Sequence, residues 1–255
     1  MAMPIDARTG IHWQKHGEGA PLFVGLPLMA SQIEIFGSES QAMLDAWLDA
    51  LTQRHCVLLA DYPGIGKSAD HDPATMTAER VVADILSVAT AAGFERFAWA
   101  GYSWSAAVGL QLASRSDRIS ALAIGGWPAL GAPYENILAA SRARIGKVPD
   151  HARVMLRSDE QYRQWATFYQ SLESWDEAAA IARITCPRML YFGSEGDLVE
   201  EGYSVSIASC SRANRERLEK LGWKVLEIQG YGHEVIGRTE LVLPHINRFL
   251  ESALQ

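Results

Sequence analysis

Residues 96–115, RFAWAGYSWSAAVGLQLASR, constrain this chain more than any other stretch. They open on Phe97-Ala98-Trp99-Ala100, an apolar run suited to a strand covered on both faces. Gly101-Tyr102-Ser103-Trp104-Ser105 follows, and from Ala106 to Ala113 the residues are small and apolar at helical spacing. A strand that runs straight into a helix must turn within a few residues. Positions two before and two after the apex then approach too closely for large side chains. Gly101 and Ser105 meet that demand, the second being serine where glycine is usual. Such a turn thrusts Ser103 to the helix N-terminus, where unpaired amides and the helix dipole favour developing negative charge.

Comparable runs recur along the chain. Residues 21–27, 56–60, 119–126, 188–193 and 224–229 read as further buried strands, and 11–16 alternates like an edge strand. Helical periodicity spans 40–51, 76–92, 211–221 and 240–254. Strand and helix alternating this regularly imply a mostly parallel central sheet with helices on both faces. Between 127 and 181 the rhythm lapses into a mostly helical, aromatic-rich segment. The expected organisation is a core of residues 1–126 and 182–255 interrupted by this insert. At 255 residues, 48% of them hydrophobic, the chain can bury one large core.

Four motifs stand where these strands end: DYPGIGKS at 61–68, GYSWS at 101–105, ITCPRMLYFGSEGDLV at 184–199 and GYGHEV at 230–235. In this order they resemble the α/β-hydrolase superfamily over nearly the whole chain, with GYSWS as its nucleophile elbow. The resemblance implies Ser103 as nucleophile, Asp197 as acid and His233 as base. Asp197 competes with Glu195, Glu200 and Asp61, and the resemblance gives Asp61 a structural turn instead. It also implies that 127–181 is a helical cap over a largely apolar pocket. Trp127, Trp165, Phe168 and Tyr169 are the candidate pocket residues.

The chemistry behind those roles is general. A serine hydroxyl needs a neighbouring base to become a nucleophile at neutral pH. An imidazole can take that proton and return it to the leaving group, and a carboxylate can hold the imidazole in one tautomer. Two backbone amides must face the tetrahedral oxygen. Trp104, directly after the nucleophile, and Leu26, after Val24-Gly25, are the candidates; related enzymes commonly carry His-Gly where this chain has Val24-Gly25. An unperturbed imidazole would set the acid limb of kcat/KM near pH ~6.5. The expected activity is hydrolysis of an ester or lactone of a small, largely apolar molecule. Carbon–carbon bond hydrolysis or thioester cleavage could use the same groups, and a non-catalytic ligand receptor is the alternative from another class.

A formal charge of −7 opposes a nucleic-acid or anionic-membrane partner. Cys56, Cys186 and Cys210 have neither metal nor redox spacing and read as reduced thiols. No apolar run approaches ~18 residues, and the N-terminus lacks a basic-then-apolar leader, so a cytoplasmic protein is expected. Gly66-Lys67-Ser68 mimics the end of a phosphate loop, but Asp61 stands where its first glycine belongs. No zinc spacing and no dinucleotide fingerprint appear, and neither cofactor nor metal is expected. Monomer and homodimer stay open.

Overall fold

The computed structural model describes residues 4–254. Among the described residues nine strands form: β1 (Trp13–His16), β2 (Ala20–Val24), β3 (His55–Ala60), β4 (Phe97–Tyr102), β5 (Ile119–Gly125), β6 (Arg188–Gly193), β7 (Leu198–Glu200), β8 (Tyr203–Val205) and β9 (Trp223–Ile228). Seven of them make one sheet in the order β1-β3-β2-β4-β5-β6-β9. Only β1 runs antiparallel, at the edge, as its alternating sequence implies. β7 and β8 pair with each other alone.

Alternation along the central strands sends side chains to two separate cores. Phe23, Phe97, Trp99, Leu122, Ile124, Leu190 and Phe192 fill one face. Leu22, Val24, Ala98, Ala100, Ala121, Ala123, Met189 and Tyr191 fill the other. Helices Ala78–Ala91, Trp104–Arg115 and Glu177–Arg183 cover the first face, while Gln41–Leu51 and Thr239–Ala253 cover the second. Strands buried on both sides explain why they read as continuous apolar runs. The parallel sheet also places the ends of β2, β4, β5 and β6 along one rim, where loops can converge.

The insert folds as helices Tyr134–Ala143, Asp150–Arg153 and Arg163–Gln170 with connecting turns, leading into Glu177–Arg183. Two side chains tie it to the 61–70 loop. Gln161 donates to the Gly64 carbonyl at 2.7 Å, and Arg157 donates to Gly66 and Ser68 carbonyls while pairing with Asp70. On its other side, Arg144 pairs with Glu200 at 2.7 Å and Asn136 donates to the Ser204 carbonyl at 2.6 Å, which fastens the β7–β8 hairpin. The segment expected as one helix over 211–221 is two, Ile207–Ala213 and Arg215–Lys220. Asn214 separates them, its amide donating to Leu130 and Cys210 carbonyls.

Candidate active site

The serine turn is built by its neighbours. Ser103 has φ 56° and ψ −123°, a strained backbone for any residue but glycine. The strain is held by its amide donating to the Gly125 carbonyl at 2.8 Å and its carbonyl accepting from Ala106 at 2.9 Å. A Cβ on Gly101 would sit 2.6 Å from the Ser105 carbonyl, which accounts for a glycine there. Trp104 and Ser105 open the helix, so their amides lack intrahelical partners by the geometry of any helix start.

His233 lies on the loop after β9 and meets Ser103, with Nε2 3.0 Å from Oγ. With Nε2 unprotonated, the serine hydroxyl donates to it. Tyr102, immediately before Ser103, positions the imidazole. Its hydroxyl donates to the His233 carbonyl at 2.7 Å, and its ring lies 5.1 Å from the imidazole. The residue between elbow glycine and serine thus has a role that the sequence pattern leaves unspecified.

Asp197 does not join them. Its carboxylate is exposed and engaged by Ser209, whose amide donates at 3.0 Å and whose hydroxyl also donates. Ser209 lies in the first turn of Ile207–Ala213, so the carboxylate serves orphan donors at a helix start. His233 Nδ1 is buried with no hydrogen-bond partner among the described residues. Burial therefore dominates the imidazole and pushes its pKa down to about 4, against a weak opposing pull from Glu234. The acid limb expected near 6.5 for an unperturbed imidazole moves to lower pH with that shift. Glu234 itself is exposed and accepts from the Gly232 amide at 3.0 Å.

Asp61 has the structural place expected of it. Fully buried, it accepts from the Ser31 amide at 2.8 Å, the Ser31 hydroxyl at 2.6 Å and the Lys67 amide at 2.9 Å. Leu26 follows the end of β2, and its carbonyl accepts from the Tyr102 amide at 2.9 Å.

The four insert aromatics belong to one packed cluster, joined by Phe168 against Tyr169 at 5.4 Å. Phe168 and Trp165 pack on Trp104, at 5.3 and 6.3 Å between rings. Trp127 and Tyr169 pack on each other at 5.6 Å. Trp127, Phe168 and Tyr169 are 2%, 0% and 4% exposed, and Trp165 alone is half-buried. A cavity of about 580 Å³ lies between Tyr134, Tyr169, Leu172 and Trp175. Tyr169 is the only one of the four on its wall, and neither Ser103 nor His233 lines it.

A family model described as the alpha/beta hydrolase family matches residues 32–243. A thermophilic esterase from Thermogutta terrifontis superposes with a TM-score of 0.70 at 17% identity, covering 95% of this chain and 93% of that one. The enol-lactonase from Burkholderia xenovorans gives 0.65 at 18% identity over 96% and 98%. At such identities the likeness is one of fold. In sequence, RutD of Klebsiella pneumoniae, whose assignment as a carbamate hydrolase is itself provisional, is 36% identical over 83 residues. That stretch is 32% of this chain and 31% of the relative. Among the described residues no helix is long and apolar enough to cross a membrane.

Proposed function

Because the chain belongs to the alpha/beta hydrolase family, we propose that it is a serine hydrolase cleaving an ester or lactone of a small, largely apolar molecule. The observation that carries this reading is the 3.0 Å contact between Ser103 Oγ and His233 Nε2, at a strained turn opening a helix. The fold shared with an esterase and an enol-lactonase supports acyl chemistry.

In this mechanism His233 takes the hydroxyl proton as Ser103 Oγ attacks the acyl carbon. The Trp104 and Leu26 amides receive the oxyanion. His233 then protonates the departing oxygen, leaving an acyl-enzyme on Ser103. Water, deprotonated by the same imidazole, attacks the acyl carbon and regenerates the hydroxyl. Residues 127–181 act as a cap, and Trp165, half-buried beside Trp104, is its best-placed side chain for meeting substrate. Among the described residues no carboxylate is hydrogen-bonded to the imidazole; the ring and hydroxyl of Tyr102 keep it in place.

A fluorophosphonate probe tests the core of this reading. The folded protein should be labelled at Ser103, and Ser103→Ala should abolish labelling; an unlabelled, folded wild type would defeat it. Activity should then be sought on nitrophenyl esters of graded chain length, with lactones and an aryl carbamate alongside.

The pH dependence gives a second test. Only neutral imidazole is a base, so kcat/KM should be level from pH 7 to about 5 and fall tenfold per unit below about 4. Short assays after a pH jump separate this limb from acid unfolding. Half-maximal activity between pH 6 and 7 would mean that an anion faces Nδ1 during turnover, since a carboxylate there raises the imidazole's pKa.

A further inference from the structure

Two hydroxyl-bearing residues without a catalytic role meet beside the Ser103 turn. Ser105, the serine standing where an elbow glycine is usual, is fully buried. Its Oγ lies 3.0 Å from the hydroxyl of Tyr62, itself 4% exposed, from the DYPGIGKS loop. Burying two hydroxyls is costly unless each satisfies the other. Their pairing meets that cost and joins the helix after the nucleophile to the loop after β3.

The pair also bears on the segment after β2. A Cβ placed on Gly25 would overlap Ser105 Oγ and come within 3.0 Å of the Tyr62 hydroxyl. Gly25 therefore rests its backbone on the two oxygens, and its lack of a side chain is the counterpart of the extra hydroxyl on Ser105. Ser105 restrains a phenol that burial pushes up to about 12. The phenol is thus neutral at working pH and keeps both its donor and its lone pairs. Tyr62 also packs edge-on against Trp104, at 4.9 Å and 70°. A single tyrosine thus touches Trp104 and borders Gly25, the residue before Leu26.

We infer that Tyr62 and Ser105 are a coupled pair of positioning residues that holds the Gly25–Leu26 backbone in place to stabilise the tetrahedral intermediate. This rests on the serine-hydrolase reading and adds to it. Val24-Gly25 lacks the histidine common in related enzymes, and the hydroxyl pair anchors this loop from beneath.

The test compares Tyr62→Phe, Ser105→Ala and the double variant with wild type, after fluorophosphonate labelling of Ser103 has established the nucleophile. A nitrophenyl ester serves as substrate and an alkyl trifluoromethyl ketone as transition-state analogue. Losing an oxyanion donor outright costs about 10²–10³ in kcat, and a donor merely loosened should cost about tenfold. Each single variant should therefore lose about tenfold in kcat and in affinity for the ketone. KM should stay within about twofold, and the acid limb of the pH profile should not move, since His233 is untouched. The double variant should be no worse than either single one, as expected when two groups act through one contact. Thermal melts establish that each variant is folded at the assay temperature. Unchanged ketone affinity, single losses that multiply in the double variant, or a rise in kcat (the hydroxyl then withholding the Leu26 amide) would each overturn the inference. Because Ser103 would still be labelled, none of these outcomes touches the serine-hydrolase reading.

Discussion

Asp197→Asn should leave kcat/KM within about threefold of wild type, whereas His233→Ala should lower it by about 10⁴-fold or more. A working Ser-His-Asp unit predicts otherwise, because amidation of its aspartate costs about 10⁴ by presenting the wrong imidazole tautomer. Here the carboxylate is exposed and taken by Ser209, and Nδ1 of His233 is buried without a partner. Asp197→Asn should also leave the melting temperature nearly unchanged, because the amide oxygen can still accept from the Ser209 donors at the start of Ile207–Ala213. Steady-state kinetics beside a thermal melt checks both. A 10⁴-fold loss from Asp197→Asn would falsify the two-residue mechanism and require the loop to swing its carboxylate onto the imidazole.

The same pair marks what sequence pattern can and cannot convey. The central strands were legible because burial on both faces demands continuous apolar residues, as in Phe97 to Ala100 and Met189 to Phe192. The Ser103 turn was legible because sterics there admit few residue types. Asp197 was found by chain order, which places its backbone after β6 but says nothing of side-chain direction. Ser209, on a helix twelve residues later, competes for it and wins. The β7–β8 hairpin has no sequence signal, because three-residue strands with Val199 74% exposed leave no periodic apolar signature. Aromatic content within 127–181 suggests a pocket, yet a ring facing a ligand and a ring facing another ring are chemically the same choice of residue. Trp127 and Phe168 are almost fully buried among other rings. Tyr102 and Tyr62 occupy unrestricted positions of their motifs, so only coordinates connect them to His233 and Ser105.

The strongest purely steric prediction concerns Gly193, the last residue of β6, which never meets substrate in this mechanism. A Cβ there would overlap the carbonyl oxygens of both Tyr231 and Gly232, the two residues just before His233. These are backbone atoms, so no side chain can rotate away. The surrounding lattice is also fixed: Ser194 donates to the Ile228 carbonyl and Glu195 to the Tyr231 carbonyl, both at 2.9 Å, and Gly230 donates to the Ser194 hydroxyl. Gly193→Ala must therefore push the loop outward, and His233 goes with it, away from Ser103. Misplacing a reacting group by about 1 Å can cost about 10²-fold, so kcat should fall by about that factor with a lowered Tm. Gly237→Ala is the matched control at the other end of the same loop. Its backbone is not left-handed and a Cβ there would meet nothing within 4 Å, so activity and Tm should hold. Both variants are assayed below their melting temperatures, and fluorophosphonate labelling rates are followed in parallel. Wild-type turnover by Gly193→Ala would mean that the loop yields without carrying the imidazole. In that case the 3.0 Å contact at Ser103 does not depend on the rim of β6.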